Sequence, residues 1–194
     1  MLRRACAEAA GWPGDVKVAV NLSPAQFAGG GLVAMVAEAL GMAGLAPERL
    51  ELEITETAML QETETTLATL RGLQELGVGI AMDDFGTGYS SLGYLRRFPF
   101  DRLKIDRSFI EDLGQRAESD AIVRAILVLC GSLGIAVTAE GVETWPQAGA
   151  LERALEGQGS LLVQGWLFGR PAPAAEIAAT WFAPGQAAPA LALG

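Results

Sequence analysis

Asp83 and Asp84 stand side by side where a short apolar run meets a glycine-spaced turn, in the stretch Gly79 to Ser91, GIAMDDFGTGYSS. Ionised carboxylates are costly to bury, so a pair of them at the end of such a run is concentrated charge in the shape of a site. Successive side chains on a strand point to opposite faces, and both acids can serve one centre only where the chain is already turning. Gly86 and Gly88 are the expected source of that turn. Taken alone, the pair also suits a plainer task, capping the following helix and satisfying its free amides.

Further donors recur at the ends of other apolar segments. Asn21 closes VKVAVNLS, Glu53 lies in LELEITET, Lys104 is lodged between Leu103 and Ile105, Glu140 ends IAVTAE, and Gln164 follows LLV. Separately these have ordinary readings: a strand lysine whose head snorkels to water, an acid at a strand end, two turn residues. Together they are an all-oxygen set with one lysine, suited to Mg²⁺ or Mn²⁺ and unsuited to zinc. The chain has no histidine, which removes the commonest general base and the commonest zinc ligand. Two hard cations about 4 Å apart can activate water and neutralise a phosphodiester in line. Glu51 and Asp106 read as solvent-facing or helix-facing structural acids. The Gly86-Thr87-Gly88 turn lacks the lysine-bearing pattern of a nucleotide-binding loop.

The elements that must position these groups follow a regular rhythm. Six apolar, β-branched segments recur at roughly 25 to 35 residues, each followed by helix-like sequence, as in parallel βα units. The first helix is expected in MLRRACAEAAGW, and others over Leu32 to Ala43, Met59 to Leu76, Ser119 to Leu133, Trp145 to Glu156 and Ala174 to Phe182, with a short one through Tyr94 after the Asp pair. Polar residues gather at the carboxyl ends of the strands, the end where a βα barrel assembles chemistry from distant parts of the chain. The expected fold class is therefore α/β, a TIM-type (β/α) barrel. At 194 residues the chain suits one sizeable domain, assigned to 1–182, with a frayed tail over 183–194.

Composition narrows the partners. A formal charge of −9 argues against duplex DNA and against a membrane surface, both polyanions that need a basic patch. A small anionic ligand remains compatible if cations mediate. Cys6 and Cys130 lie far from any metal-type spacing and read as free buried thiols. No apolar run is long and uncharged enough to span a bilayer, and the opening helix is no signal peptide, so a cytoplasmic location is expected.

The segments VNLSP, LELEITET, AMDDFGTGYSSL, FDRLKIDRSFI, TAEGVET and VQGWLFGRP follow one another in the order and register of EAL domains. These are bacterial phosphodiesterases that hydrolyse cyclic di-GMP to linear pGpG, and the chain resembles them from about Leu2 to Pro173. The resemblance implies metal ligands at Asn21, Glu53, Asp83, Asp84 and Glu140, with Glu140 and Lys104 catalytic and Lys104 orienting or activating the attacking water. It implies Asn21 and Gln164 beside the substrate, Glu56 bracing the loop after the Asp pair, and a supporting role for Glu143. It also implies a homodimer and, in the full gene product, an upstream sensory or GGDEF-type domain.

Two departures from the family pattern qualify that picture. The namesake Glu-Ala-Leu segment, with its metal-binding glutamate and the arginine after it, has no counterpart, and about six of eight barrel strands are accounted for. A six-stranded sheet leaves open edges, so the expectation is a fragment of a longer product, incomplete at the N-terminus, or a gap covered by a partner chain. A second departure is a surplus of about four residues around Glu156 to Ser160, expected as a loop on the far face. Beside the hydrolase reading stand two others: an impaired domain acting as a cyclic di-GMP receptor or regulatory module, and a purely structural dimerisation domain.

Overall fold

A computed structural model describes residues 1–14, 16–28, 30–55, 64–86, 92–155 and 161–182. Its strands are β1 (Val18–Leu22), β2 (Leu50–Thr55), β3 (Gly79–Phe85), β4 (Arg102–Ile105), β5 (Ala136–Glu140) and β6 (Leu161–Gln164). They form one sheet in the order β1-β2-β3-β4-β5-β6, every neighbouring pair parallel. Among the described residues β1 pairs only with β2 and β6 only with β5, so the sheet is open at both edges.

Around it lie α1 (Leu2–Ala10), α2 (Pro24–Ala28), α3 (Leu32–Ala43), α4 (Glu64–Glu75), α5 (Leu92–Arg97), α6 (Arg107–Glu111), α7 (Ala117–Leu133), α8 (Trp145–Leu155) and α9 (Ala174–Trp181). Two short helices were not expected. Pro24 opens α2, where a proline costs no hydrogen bond because its missing N–H would be unpaired at a helix start. In DRLKIDRSFI the strand stops at Ile105, and Asp106 caps α6 by accepting the Ser108 N–H at 3.0 Å. Glu56, the surplus around Glu156 to Ser160 and the tail from 183 lie outside the described residues.

Strand alternation divides the sheet into two faces. Leu50, Leu52 and Ile54 on β2, Ile80 and Met82 on β3, Leu103 and Ile105 on β4, and Val137 and Ala139 on β5 make the apolar face and join the helices in one core. Truncating a fully buried member such as Leu52 to alanine would cost about 2–5 kcal/mol. The opposite face carries Glu51, Glu53, Asp83, Lys104 and Thr138, and these are buried as well. A sheet whose central strands are buried on both faces, with the charges confined to one of them and the edge strands exposed at Asn21 and Gln164, is the frame that positions the site.

Polar ties hold the amino-terminal ends of the strands. The Asp101 side chain accepts the Ile80 N–H at 2.8 Å, and its own N–H reaches the Ile80 carbonyl at 2.9 Å, clamping the starts of β3 and β4. Arg49 donates to the carbonyls of Val16 at 2.9 Å and Ala9 at 2.8 Å, fastening the α1–β1 connection to the start of β2. Among the described residues no helix is long and apolar enough to cross a membrane.

Candidate functional site

The Asp pair is turned toward one centre by a fault in the β-ladder. Met82 pairs with Leu103 and Phe85 with Ile105, so Asp83 and Asp84 together face the single residue Lys104. An extra residue of this kind is a β-bulge, and it lets adjacent side chains escape strict alternation. Asp84 takes the left-handed conformation, φ 55°, which aspartate tolerates better than most residues. The turn therefore begins inside β3, at the acids themselves. Gly86, also at positive φ, continues the turn after both carboxylates, and Gly88 lies outside the described residues.

Lys104 is the hub. Its Nζ lies 2.7 Å from Glu53 Oε1 on β2, 3.0 Å from Asp83 Oδ1 on β3 and 2.7 Å from Glu140 Oε1 on β5. Three carboxylates match the three donors of an ammonium. The residue is 5% exposed, which excludes a side chain snorkelling to solvent. Burial would lower its pKa, but the hydrogen bonds to Glu140, Glu53 and Asp83 outweigh that and hold it above the ordinary lysine range. Lys104 is thus a fixed cation and not a reservoir for accepting protons.

Donor oxygens of Asp83, Asp84 and Glu140 all lie within 4.8 Å of one another. At an effective dielectric near 20, two unit charges at such a separation repel by roughly 3 kcal/mol before any cation is counted. The strain shows in the acids. Burial, and then the negative charges of Asp83 and Asp106, raise the pKa of Asp84 against the pull of Lys104. Burial likewise raises that of Glu140, with Lys104 opposing. Clustered hard oxygen donors with too little positive charge among them fit a divalent cation.

The predicted amides flank this cluster. Asn21 pairs in register with Glu53 and Gln164 with Glu140, but they sit on β1 and β6, at opposite edges of the sheet, and both are exposed. Asn21 lines a cavity of about 660 Å³ along the β1 edge, with Ser23, Gln26 and Thr55. Gln164 lines another, of about 670 Å³, with Asp84, Glu140, Glu143, Trp166 and Arg170. Glu56 cannot be placed, since it lies outside the described residues.

Several contributors went unrecognised in the sequence. Glu51 is not solvent-facing: it is buried on the same face as Glu53 and pairs with Arg102 at 2.9 Å, a placement that its two-residue spacing from Glu53 could have signalled. Asp106 is structural as a cap, yet it also faces the cavity and acts on Asp84. Arg170 stacks over the Trp166 ring at 4.5 Å, giving the second cavity a flat cationic and aromatic wall. Gly165 has no room for a Cβ, which would run into the backbone of Val142; the close approach locks the end of β6 to the loop after Glu140.

The EAL domain family model matches residues 1–171. Protein y4lL of Sinorhizobium fredii is 51% identical over 179 residues, covering 92% of this chain and 21% of that protein. The bifunctional diguanylate cyclase/cyclic di-GMP phosphodiesterase MucR of Pseudomonas aeruginosa is 46% identical over 166 residues, covering 86% and 24%. The MucR phosphodiesterase structure in complex with c-di-GMP superposes with a TM-score of 0.82, covering 91% of this chain and 71% of that one. A manganese and cyclic di-GMP complex of BlrP1 from Klebsiella pneumoniae gives 0.80 at 35% identity, covering 88% and 43%. The chain spans about a fifth of the length of the first curated relatives it matches.

Proposed function

Because this chain belongs to the EAL domain family, we propose that it hydrolyses cyclic di-GMP to linear pGpG with the help of divalent cations. The observation that carries the reading is the convergence of Asp83, Asp84 and Glu140 within 4.8 Å, knit to Glu53 through Lys104. Those four acids would hold the cations, with Asn21 reaching them from the β1 side. The hard donor set favours Mg²⁺ or Mn²⁺. Such cations supply acidification of water and neutralisation of the phosphodiester. They also answer the charge problem, since a chain of net charge −9 repels a dianionic dinucleotide.

The residues of the chain supply the rest. Lys104 holds three carboxylates at fixed separations and keeps a permanent positive charge beside the reacting phosphate and water, as electrostatic preorganisation requires. The cavity walled by Trp166 and Arg170 offers a flat face on which a guanine base can stack, with Gln164 at its edge for polar contact. The same reading places the domain in the bacterial cytoplasm, as a homodimer, behind a sensory or GGDEF-type domain in the whole protein, with residues 1–182 as the phosphodiesterase unit.

A second reading, a cyclic di-GMP receptor without turnover, is favoured by one observation: Trp166 and Arg170 form a stacking wall that uses none of the carboxylates that would hold metal. Assay of pGpG release with Mg²⁺ or Mn²⁺, alongside Lys104→Ala and Asp83→Asn, separates the two. Hydrolysis lost in both variants supports the first reading, ligand binding without turnover in the native chain supports the second, and turnover surviving both substitutions removes the proposed chemistry.

A further inference from the structure

Beneath the cluster around Lys104 lies a smaller copy of it. Arg102 Nε is 2.9 Å from Glu51 Oε2, and Arg102 Nη1 donates to Thr138 Oγ1 at 3.3 Å. Glu51, Arg102 and Thr138 each precede by two residues a member of the upper group, Glu53, Lys104 and Glu140. On each of β2, β4 and β5 the two therefore share a face, one step of about 6.6 Å apart along the strand. Both sets join the same three strands through one central cation on β4. Glu51 and Thr138 are buried, and the Arg102 side chain is 15% exposed.

Such an ion pair is an expensive way to fill a core, because apolar side chains of similar volume are often at least as stable. What a forked guanidinium adds is geometry, since Nε and Nη1 address two different strands from one rigid plane. We propose that Glu51, Arg102 and Thr138 are positioning residues: they fix the relative height of β2, β4 and β5 so that the Lys104 ammonium stays midway between Glu53 and Glu140. The need is sharp at β4, where the bulge in β3 interrupts the regular ladder beside Lys104 and leaves its height less determined by backbone pairing. The catalytic consequence rests on the proposed hydrolysis, but the positioning itself does not.

The test reads Lys104 directly. The chain has two lysines, Lys17 and Lys104, so lysine labelled with ¹⁵N at Nζ gives two ammonium signals, and the buried one is assigned by its loss in Lys104→Met. Glu51→Leu combined with Arg102→Met replaces the pair by apolar side chains, Thr138→Val removes one hydrogen bond without changing shape, and Arg102→Lys keeps the charge. The Lys104 signal is expected to shift or broaden in the double variant and, to a lesser degree, in Thr138→Val and in Arg102→Lys, whose ammonium keeps the charge but cannot fork to two strands. Hydrolysis should fall about tenfold or more in kcat for the double variant with KM within about twofold, as small misplacements of catalytic groups do. A folded double variant whose Lys104 signal is unmoved overturns the proposal. If the double variant does not fold, an unmoved signal in Thr138→Val overturns it equally. An inactive native chain would overturn the hydrolytic reading and leave the signal to decide the positioning.

Discussion

The ammonium of Lys104 lies 2.7 Å from the Glu140 carboxylate, although backbone register pairs Lys104 with Thr138 and places Glu140 two residues further along β5. The lysine reaches upward across the sheet on one side and meets Glu53 of β2 on the other. One buried cation thus ties strands that are not neighbours, and two of the acids it joins, Asp83 and Glu140, also belong to the carboxylate cluster with Asp84.

Removing that cation should destabilise the metal-free protein. Lys104→Met leaves Glu53, Asp83 and Glu140 buried without their common partner, a loss of about 3–5 kcal/mol. Thermal melts in chelator should show the drop, and added Mg²⁺ or Mn²⁺ should raise the melting temperature of the variant by more than that of the native chain. Equal melting temperatures in chelator would mean that the carboxylates do not depend on the lysine.

The pH dependence of this contribution has a definite sign. Lys104 has a pKa raised above its ordinary value of 10.5, so its stabilisation is fully present below pH 10.5 and is lost as pH climbs through the higher folded value. Urea midpoints of native and Lys104→Met protein, both in chelator, should keep a constant separation from neutral pH up to about 10 and converge only beyond it. Convergence near neutrality would show that Lys104 loses its charge early.

Asp84 should trade stability for function. Its pKa is raised, so the native fold favours the protonated acid and loses stability as pH rises from the ordinary 3.8 through the folded value. Asp84→Asn removes the charge and keeps a side chain at ease with φ 55°. At neutral pH without metal it should be more stable than the native chain, while metal affinity measured by calorimetry and pGpG release both collapse. A destabilised Asp84→Asn would contradict the repulsion described for the cluster.

The Trp166 and Arg170 wall predicts a binding effect separate from chemistry. Trp166→Ala should raise KM by about 5- to 30-fold, the loss of 1–2 kcal/mol of stacking, with kcat nearly unchanged. A fall in kcat at constant KM would move the base away from this cavity.

Much of the fold was legible in one dimension. Six strands, most helix limits and the polar carboxyl ends follow from alternation, helical periodicity and glycine punctuation, all local properties of the chain. Six EAL-type motifs in series single out Asn21, Glu53, Asp83, Asp84, Lys104, Glu140 and Gln164 in the sequence, although each of these residues alone has an ordinary reading.

Only tertiary structure could decide how those residues meet. The bulge that turns both Asp83 and Asp84 toward Lys104 is a mismatch between two strands, and no single strand encodes it. Glu51 reads as a solvent-facing or helix-facing acid because its partner, Arg102, is far along the chain and becomes a neighbour only when β2, β3 and β4 align. The placement of Asn21 and Gln164 at opposite edges is likewise set by strand order. Local sequence chooses the element and the face, whereas register and strand order, which arise between distant segments, choose the distance between charges.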